Sequence, residues 1–332
     1  MQHFIRQAAR YIFTISLMAT LMACGGGGSG APPALNYSGV TTGVVIDEDN
    51  AKTLLTGAYE GGQTAAVFNI FGAVQVDPQH SANTPRMLAL AGIFKAFLDE
   101  MDVAQPVQYA GALITDSETI QGSCGGEAYY DVDIDSIFGD FSGTADFREY
   151  CDASNPDLVL DGITDFSGDF DLFSQEIEDF AFIFRDLAAI SDAGSYTLNG
   201  SLNGNVSTTR AYVKTTSVLT DNSTNKTYWL KDFEVTAEQG GGFVAITADG
   251  RYYDHDYGYV DVSTEQAFIL YDNDDWPSSG IFVLTGGEGD AGGNTMARMV
   301  VLDADSFQVE ADTDGDGSFD DYNSGLLLWT DM

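Results

Sequence analysis

From about Thr119 to the C-terminus, Gly, Asn and Asp cut the sequence into roughly thirteen short apolar runs that alternate with polar residues or are apolar on both sides. Leu158 to Phe170, Phe180 to Leu187, Tyr196 to Val206, Tyr228 to Val235, Phe243 to Tyr253, Tyr259 to Leu270, Ile281 to Thr285 and Met296 to Leu302 are among them. The connections are short, so successive strands pair antiparallel. A sheet of that many strands must curl, close or split into two packed layers. The expected fold is therefore mainly β: a large curled antiparallel meander, open, closed barrel-like or two-layer, with a few N-terminal helices packed on it. Asp131 with Asp133, and Asp261 with Glu265, load strand faces that could not all meet lipid, which argues against a membrane barrel.

Residues 35–118 read as the helical segment and residues 119–332 as the β body. Asp49 is placed to cap a helix from Asn50 to Tyr59 that stops at Gly61-Gly62. Thr84-Pro85 opens a second one, whose residues Met87, Leu90, Ala91, Phe94, Phe97, Leu98 and Met101 make one apolar stripe that packs on the body.

Two flanking segments fold about the midpoint of residues 137 and 138. The first carries Ala128, Tyr130, Val132 and Ile134 on one face, and the second carries Phe141, Ala145 and Phe147. This register sets Ile134 against Phe141, Tyr130 against Ala145 and Ala128 against Phe147, and it sets Cys124 against Cys151. A cross-strand cystine between Cys124 and Cys151 follows, provided the chain is exported to an oxidising compartment.

Export is written in the first residues. Arg6 and Arg10 make a basic leader, Tyr11 to Met22 an apolar stretch, and small residues lead into Cys24. At about 1.5 Å per residue the stretch is too short to span a hydrocarbon layer of about 30 Å, and residues 1–23 read as a signal peptide. Leu21-Met22-Ala23-Cys24 resembles the lipobox of bacterial lipoproteins, which implies cleavage before Cys24 and lipidation of its sulfur and new amine. Residues 24–34, with Gly25 to Gly30 interrupted by Ser29, make a flexible tether. In that family an Asp after the cysteine favours retention in the inner membrane. Gly25 stands there, so the resemblance implies an outer-membrane anchor, facing the periplasm or the cell surface.

The chain carries 13 Lys+Arg against 51 Asp+Glu, a formal charge of -38. Such a surface repels phosphate backbones and anionic bilayers, so nucleic acid is excluded as a partner and lipid is the only expected route to the membrane. Catalytic signatures are sparse. Beyond the leader only His80 and His255 remain, and neither HExxH, GxSxG nor a phosphate loop is present. Ser223 and Lys226 match SxxK without its partner motifs. Activity is left open, a non-enzymatic role is expected, and a polysaccharide hydrolase stays as an alternative.

Asp312-Thr313-Asp314-Gly315-Asp316-Gly317-Ser318-Phe319-Asp320 resembles the DxDxDG calcium loops of EF-hands, dockerins and related extracellular repeats. The resemblance implies calcium as cofactor, with Asp312, Asp314, Asp316, Ser318 and Asp320 as ligands; hard carboxylate oxygens suit the ion and Gly317 the sharp turn. Position twelve is Asn323 rather than Glu, and the flanks read as strands, so the expected affinity is modest, about 10⁻⁴–10⁻³ M. Asp47-Glu48-Asp49 and Asp272 to Pro277 are read as solvated turns. Tyr252, Tyr253, Tyr257 and Tyr259 bracket Asp254-His255-Asp256; a tight turn sets Tyr252 against Tyr259, and a carbohydrate platform is the alternative. Trp276 to Gly280 followed by a strand pair, the DxDGDG turn and a closing strand is similar to the C-terminal part of Gram-negative lipoproteins without an assigned activity. The similarity implies shared architecture only. The expected partner is an envelope protein, a glycan or an apolar ligand, the last carried between the sheet and the Met87 to Met101 helix.

Overall fold

The computed structural model describes residues 33–67, 113–135, 139–152, 158–170, 177–191, 194–207, 209–272, 274 and 276–331. Cys24 and the Met87 to Met101 stripe lie outside the described residues. Among the described residues one α-helix, α1 (Ala51–Val67), precedes a single sheet. Its strands are β1 (Leu113–Gln121), β2 (Gly125–Asp135), β3 (Asp140–Cys151), β4 (Val159–Phe170), β5 (Ile177–Ser191), β6 (Gly194–Val206), β7 (Arg210–Asp221) and β8 (Lys226–Gln239). They continue as β9 (Phe243–Asp254), β10 (Gly258–Tyr271), β11 (Ser279–Glu288), β12 (Asn294–Asp303), β13 (Ser306–Asp312), β14 (Tyr322–Asn323) and β15 (Leu327–Leu328). The first fourteen pair in chain order, β15 pairs with β13, and the sheet is open rather than closed into a barrel.

Left-handed residues sit at the shifts in this ladder. Glu149 (φ 48°), Asp186 (φ 50°) and Asp232 (φ 48°) stand at bulges of β3, β5 and β8, where an extra residue bends the strand and tightens its twist. The sheet curls accordingly, and one face is dry. Tyr130, Phe147, Phe182, Phe184, Phe233 and Phe282 are each no more than 1% exposed on it. Helix α1 contacts β7, β8, β9, β11, β12 and β13. Leu54, Leu55 and Ala58 are fully buried, and the Tyr59 ring stands 5.3 Å from Phe268 and 5.5 Å from Trp329.

The helix departs from its sequence reading at both ends. Asp47 rather than Asp49 opens it: Asp47 Oδ1 accepts the N–H of Asn50 at 2.9 Å, and Asn50 Oδ1 accepts the Asp47 N–H at 3.0 Å. This reciprocal cap satisfies donors that the first turn leaves free. The helix also runs through Gly61-Gly62. A Cβ at Gly61 would lie 2.8 Å from Leu230 Cδ2, so the glycine permits close approach to β8 instead of ending the helix. The strand pattern likewise begins earlier than expected, since Leu113 to Glu118, at the end of the segment read as helical, belong to β1.

The β2–β3 register has Ile134 opposite Phe141, Tyr130 opposite Ala145 and Ala128 opposite Phe147, as the alternation predicts. A shift between Gly125 and Glu127 then places Cys151 opposite Gly125 rather than Cys124. The cystine forms on the diagonal, with Cα atoms 5.3 Å apart, inside the span that a disulfide bridges. At the β9–β10 turn, Tyr259 pairs with Tyr253, and Tyr252 with Val260. Three residues, His255 to Tyr257, close this turn, and Asp254 Oδ1 accepts the N–H groups of Asp256 and Tyr257. The odd count shifts the predicted Tyr252–Tyr259 pairing by one, and Tyr252 lies in the core.

An extended strap, residues 37–46, carries the chain over the rim of the sheet to α1. Tyr37 packs outside against Trp229 and Tyr253, with ring centroids 5.8 and 5.4 Å away. Gly43 bridges Tyr259 in parallel, and Gly287 N–H donates to Val44 O at 2.5 Å, so the strap fills the place where β10 and β11 part. Ile46, fully buried, donates its N–H to Thr295 Oγ1 at 2.9 Å.

Candidate metal centre

β13 ends in Asp312, and the chain returns through β14 with Glu310 opposite Asn323 and Ala311 opposite Tyr322. One further step along that register brings Asp321 opposite Asp312. Asp312 is 0% exposed, and its carboxylate gathers the loop: Oδ1 accepts the N–H of Gly315 at 2.8 Å and of Asp316 at 3.2 Å, and Oδ2 that of Gly317 at 2.8 Å. Gly315 (φ 79°) and Gly317 (φ 92°) take left-handed conformations that would strain a side-chain-bearing residue. From the far side Asp321 Oδ2 accepts the Thr313 N–H at 2.7 Å, its hydroxyl at 3.0 Å and the Asp314 N–H at 3.1 Å.

The β11–β12 hairpin supports this loop. Ala291 N–H donates to Asp314 O at 2.7 Å, and Gly315 lies flat on Gly293, where a Cβ would come within 2.4 Å of the Gly293 oxygen. Arg298, paired with Glu310 at 2.6 Å, places its guanidinium 4.2 Å from the centre of the Phe319 ring.

Asp312, Asp314 and Asp321 each bring one carboxylate oxygen within 4.8 Å of the others. Of the five residues expected from the loop pattern, Asp312 and Asp314 belong to this group. Asp316, Ser318 and Asp320 do not join it, and Asp316 Oδ1 accepts the Ser318 N–H at 2.7 Å. Asp321 enters through the hairpin register, which the every-second-residue pattern does not encode.

The electrostatics follow the packing. The Asp316 N–H pulls the Asp314 carboxyl down, but burial and the carboxylates of Asp316, Asp321 and Asp312 together leave it above its ordinary range. Asp321 is held below its ordinary range by the Thr313 N–H, the Thr313 hydroxyl and the Asp314 N–H. An all-oxygen, anionic donor set suits a hard cation such as calcium and not a soft one. A carboxylate offers about four lone-pair positions, so Asp312, with three amides on it, retains about one. Carbonyl groups or water would complete the six to eight oxygens calcium takes.

No family model, curated protein or solved structure matches the chain. Chemistry must therefore be read from the residues themselves. Among the tyrosines, Tyr252 is 4% and Tyr253 5% exposed, and Tyr253 stacks on Trp229 at 4.4 Å. Those two are packing residues and offer no open face to a sugar. Ser223 Oγ donates to Asp221 at 2.7 Å and Lys226 pairs with Asp256, so the SxxK pair serves two turns. Asp47 is consumed by the helix cap, and Asp274 accepts the Ser278 hydroxyl at 2.6 Å. Among the described residues no helix is long and apolar enough to cross a membrane.

Proposed function

We propose that this protein is a lipid-anchored component of the outer membrane, held through Cys24, whose β body is a non-enzymatic binding module stiffened at its last turn by calcium. The observation that carries the compartment is the cystine: Cys124 and Cys151 are bonded, a state that persists where thiols are oxidised and not in a reducing cytosol. The leader, the lipobox-like Leu21 to Cys24 and the glycine tether support the same address. Labelled palmitate is expected to enter the parent and not Cys24→Ala; a parent that stays unlabelled and begins at Met1 overturns the anchor.

Calcium would be held by the carboxylates of Asp312, Asp314 and Asp321, where it offsets their mutual repulsion and ties β13 to the return strand. A ligand that binds only the native state raises its melting temperature. The full chain in detergent should therefore melt higher in millimolar calcium than in chelator, and identical curves reject the metal.

A further inference from the structure

The two edges of the sheet are unlike. On the C-terminal side β13 carries β14 and β15, two residues each, and the 3-10 turn Trp329–Asp331 follows. On the other side β1 runs for nine residues and pairs with β2 alone among the described strands. Thr115 to Thr119 are exposed. A strand pairs along both edges, so half of the β1 backbone groups are directed away from β2 and have no strand partner among the described residues, which makes this edge a template for another strand.

The flanking side chains state what that strand must carry. Asp116 stands opposite Val132 and Glu118 opposite Tyr130, so both acids are on the core-facing side; Thr115 and Ser117, on the other face, stand opposite Asp133 and Asp131. β1 and β2 contain no Lys or Arg. Arg148, on β3, is already held by Asp146 at 2.6 Å and Glu127 at 3.4 Å. A second copy of the chain fits poorly: antiparallel pairing about Ser117 sets Asp116 against Glu118 twice, and like charges directly opposite destabilise a ladder. The C-terminal end of this edge is also tied down in advance. Gly122 N–H donates to Gly126 O at 3.0 Å across the β1–β2 turn, and the cystine fastens that turn to β3. A rigid template costs less ordering entropy on association.

We propose that β1 is a strand-addition surface that takes an extended cationic segment of a partner protein. Its backbone pairs along Leu113–Gln121, and its Lys or Arg side chains lie beside Asp116 and Glu118 on one face; on the other face Thr115 and Ser117 are its neighbours, with Asp133 and Asp131 of β2 one strand beyond. The inference names the partner class for the binding module proposed above; it depends on neither Cys24 nor calcium, and palmitate labelling decides the anchor separately.

The test uses the full chain in neutral detergent micelles and a fluorescent, end-capped peptide of alternating Thr and Lys, read by anisotropy. Saturable binding is expected, with slowed hydrogen exchange confined to β1. Methylating two successive central amide nitrogens of the peptide removes a donor from each of its edges and should weaken binding about tenfold, the worth of one to two hydrogen bonds. Glu118→Lys should weaken it comparably with the melting temperature unchanged. If that variant fails to fold, the methylated peptide on the parent decides. Absence of binding at millimolar peptide, equal binding of the methylated peptide, or undiminished binding to a folded Glu118→Lys overturns the proposal. Concentration-dependent self-association of the parent that protects β1 amides overturns it in favour of a second copy.

Discussion

Arg185 of β5 closes over the carboxylate of Asp165 on β4, with Nη1 3.0 Å from Oδ1 and Nη2 on Oδ2. The Asp165 side chain is 5% exposed and that of Arg185 36%. Removing the cation leaves a buried anion unpaired, a large cost, although partial exposure of the arginine keeps it below that of a fully buried pair. Arg185→Met is expected to lower stability by about 2–3 kcal/mol, read from the urea midpoint. Asp165→Leu combined with Arg185→Met should recover most of it, because no unpaired charge remains.

The cystine closes 27 positions of chain. Its removal in Cys124→Ala/Cys151→Ala should cost about 3–4 kcal/mol on the chain-entropy account. Hydrogen exchange should quicken first in β1 and β2, the strands that its turn anchors, and reduction of the parent should reproduce both effects. Unaltered exchange in β1 would show that the edge is stiff without it.

Glu60, half-buried on α1, has its carboxyl pushed by burial up to about 7 from an ordinary 4.5. An acid whose pKa is higher in the folded state takes up protons more readily there, so its contribution is fully present below about 4.5 and is lost as pH rises through about 7. Stability is expected to fall across that window by about 1–3 kcal/mol from this group alone. Glu60→Gln should flatten the fall and melt higher than the parent at pH 8.

Asp320 and Asp321 separate the two descriptions of the last turn. The every-second-residue pattern assigns the metal to Asp320, whereas the β13–β14 register puts Asp321 beside Asp312 and Asp314. Calcium should therefore raise the melting temperature of Asp320→Asn as it does the parent's and leave that of Asp321→Asn unmoved. The reverse result would return the site to the linear pattern.

What the sequence makes legible is alternation, and alternation carries far in this fold. Ala128 to Ile134 against Phe141 to Phe147 is fixed by apolar faces that must coincide. Reading stops wherever one extra residue enters. Glu149 and Gly126 take left-handed conformations beside the cystine, and three residues rather than two turn β9 into β10. Neither event changes composition, yet each moves the adjoining partners by one. The helix shows the converse limit: Gly61 looks like a stop, and only the position of Leu230 explains why the chain continues. At the candidate metal centre Asp312 and Asp314 follow from spacing, while Asp321 requires the register first.

The strap 37–46 sets an order of events. Each strand through β14 has its neighbours next to it in sequence, but Ile46 finds its acceptor, Thr295, 249 positions away. A polypeptide is synthesised N-terminus first, so Leu54, Leu55, Ala58 and Tyr59 are born long before the strands that cover them. The helix is seated on β7, β8, β9, β11, β12 and β13, so it waits longest for the last two, and a product truncated ahead of Asn294 leaves it on an incomplete seat.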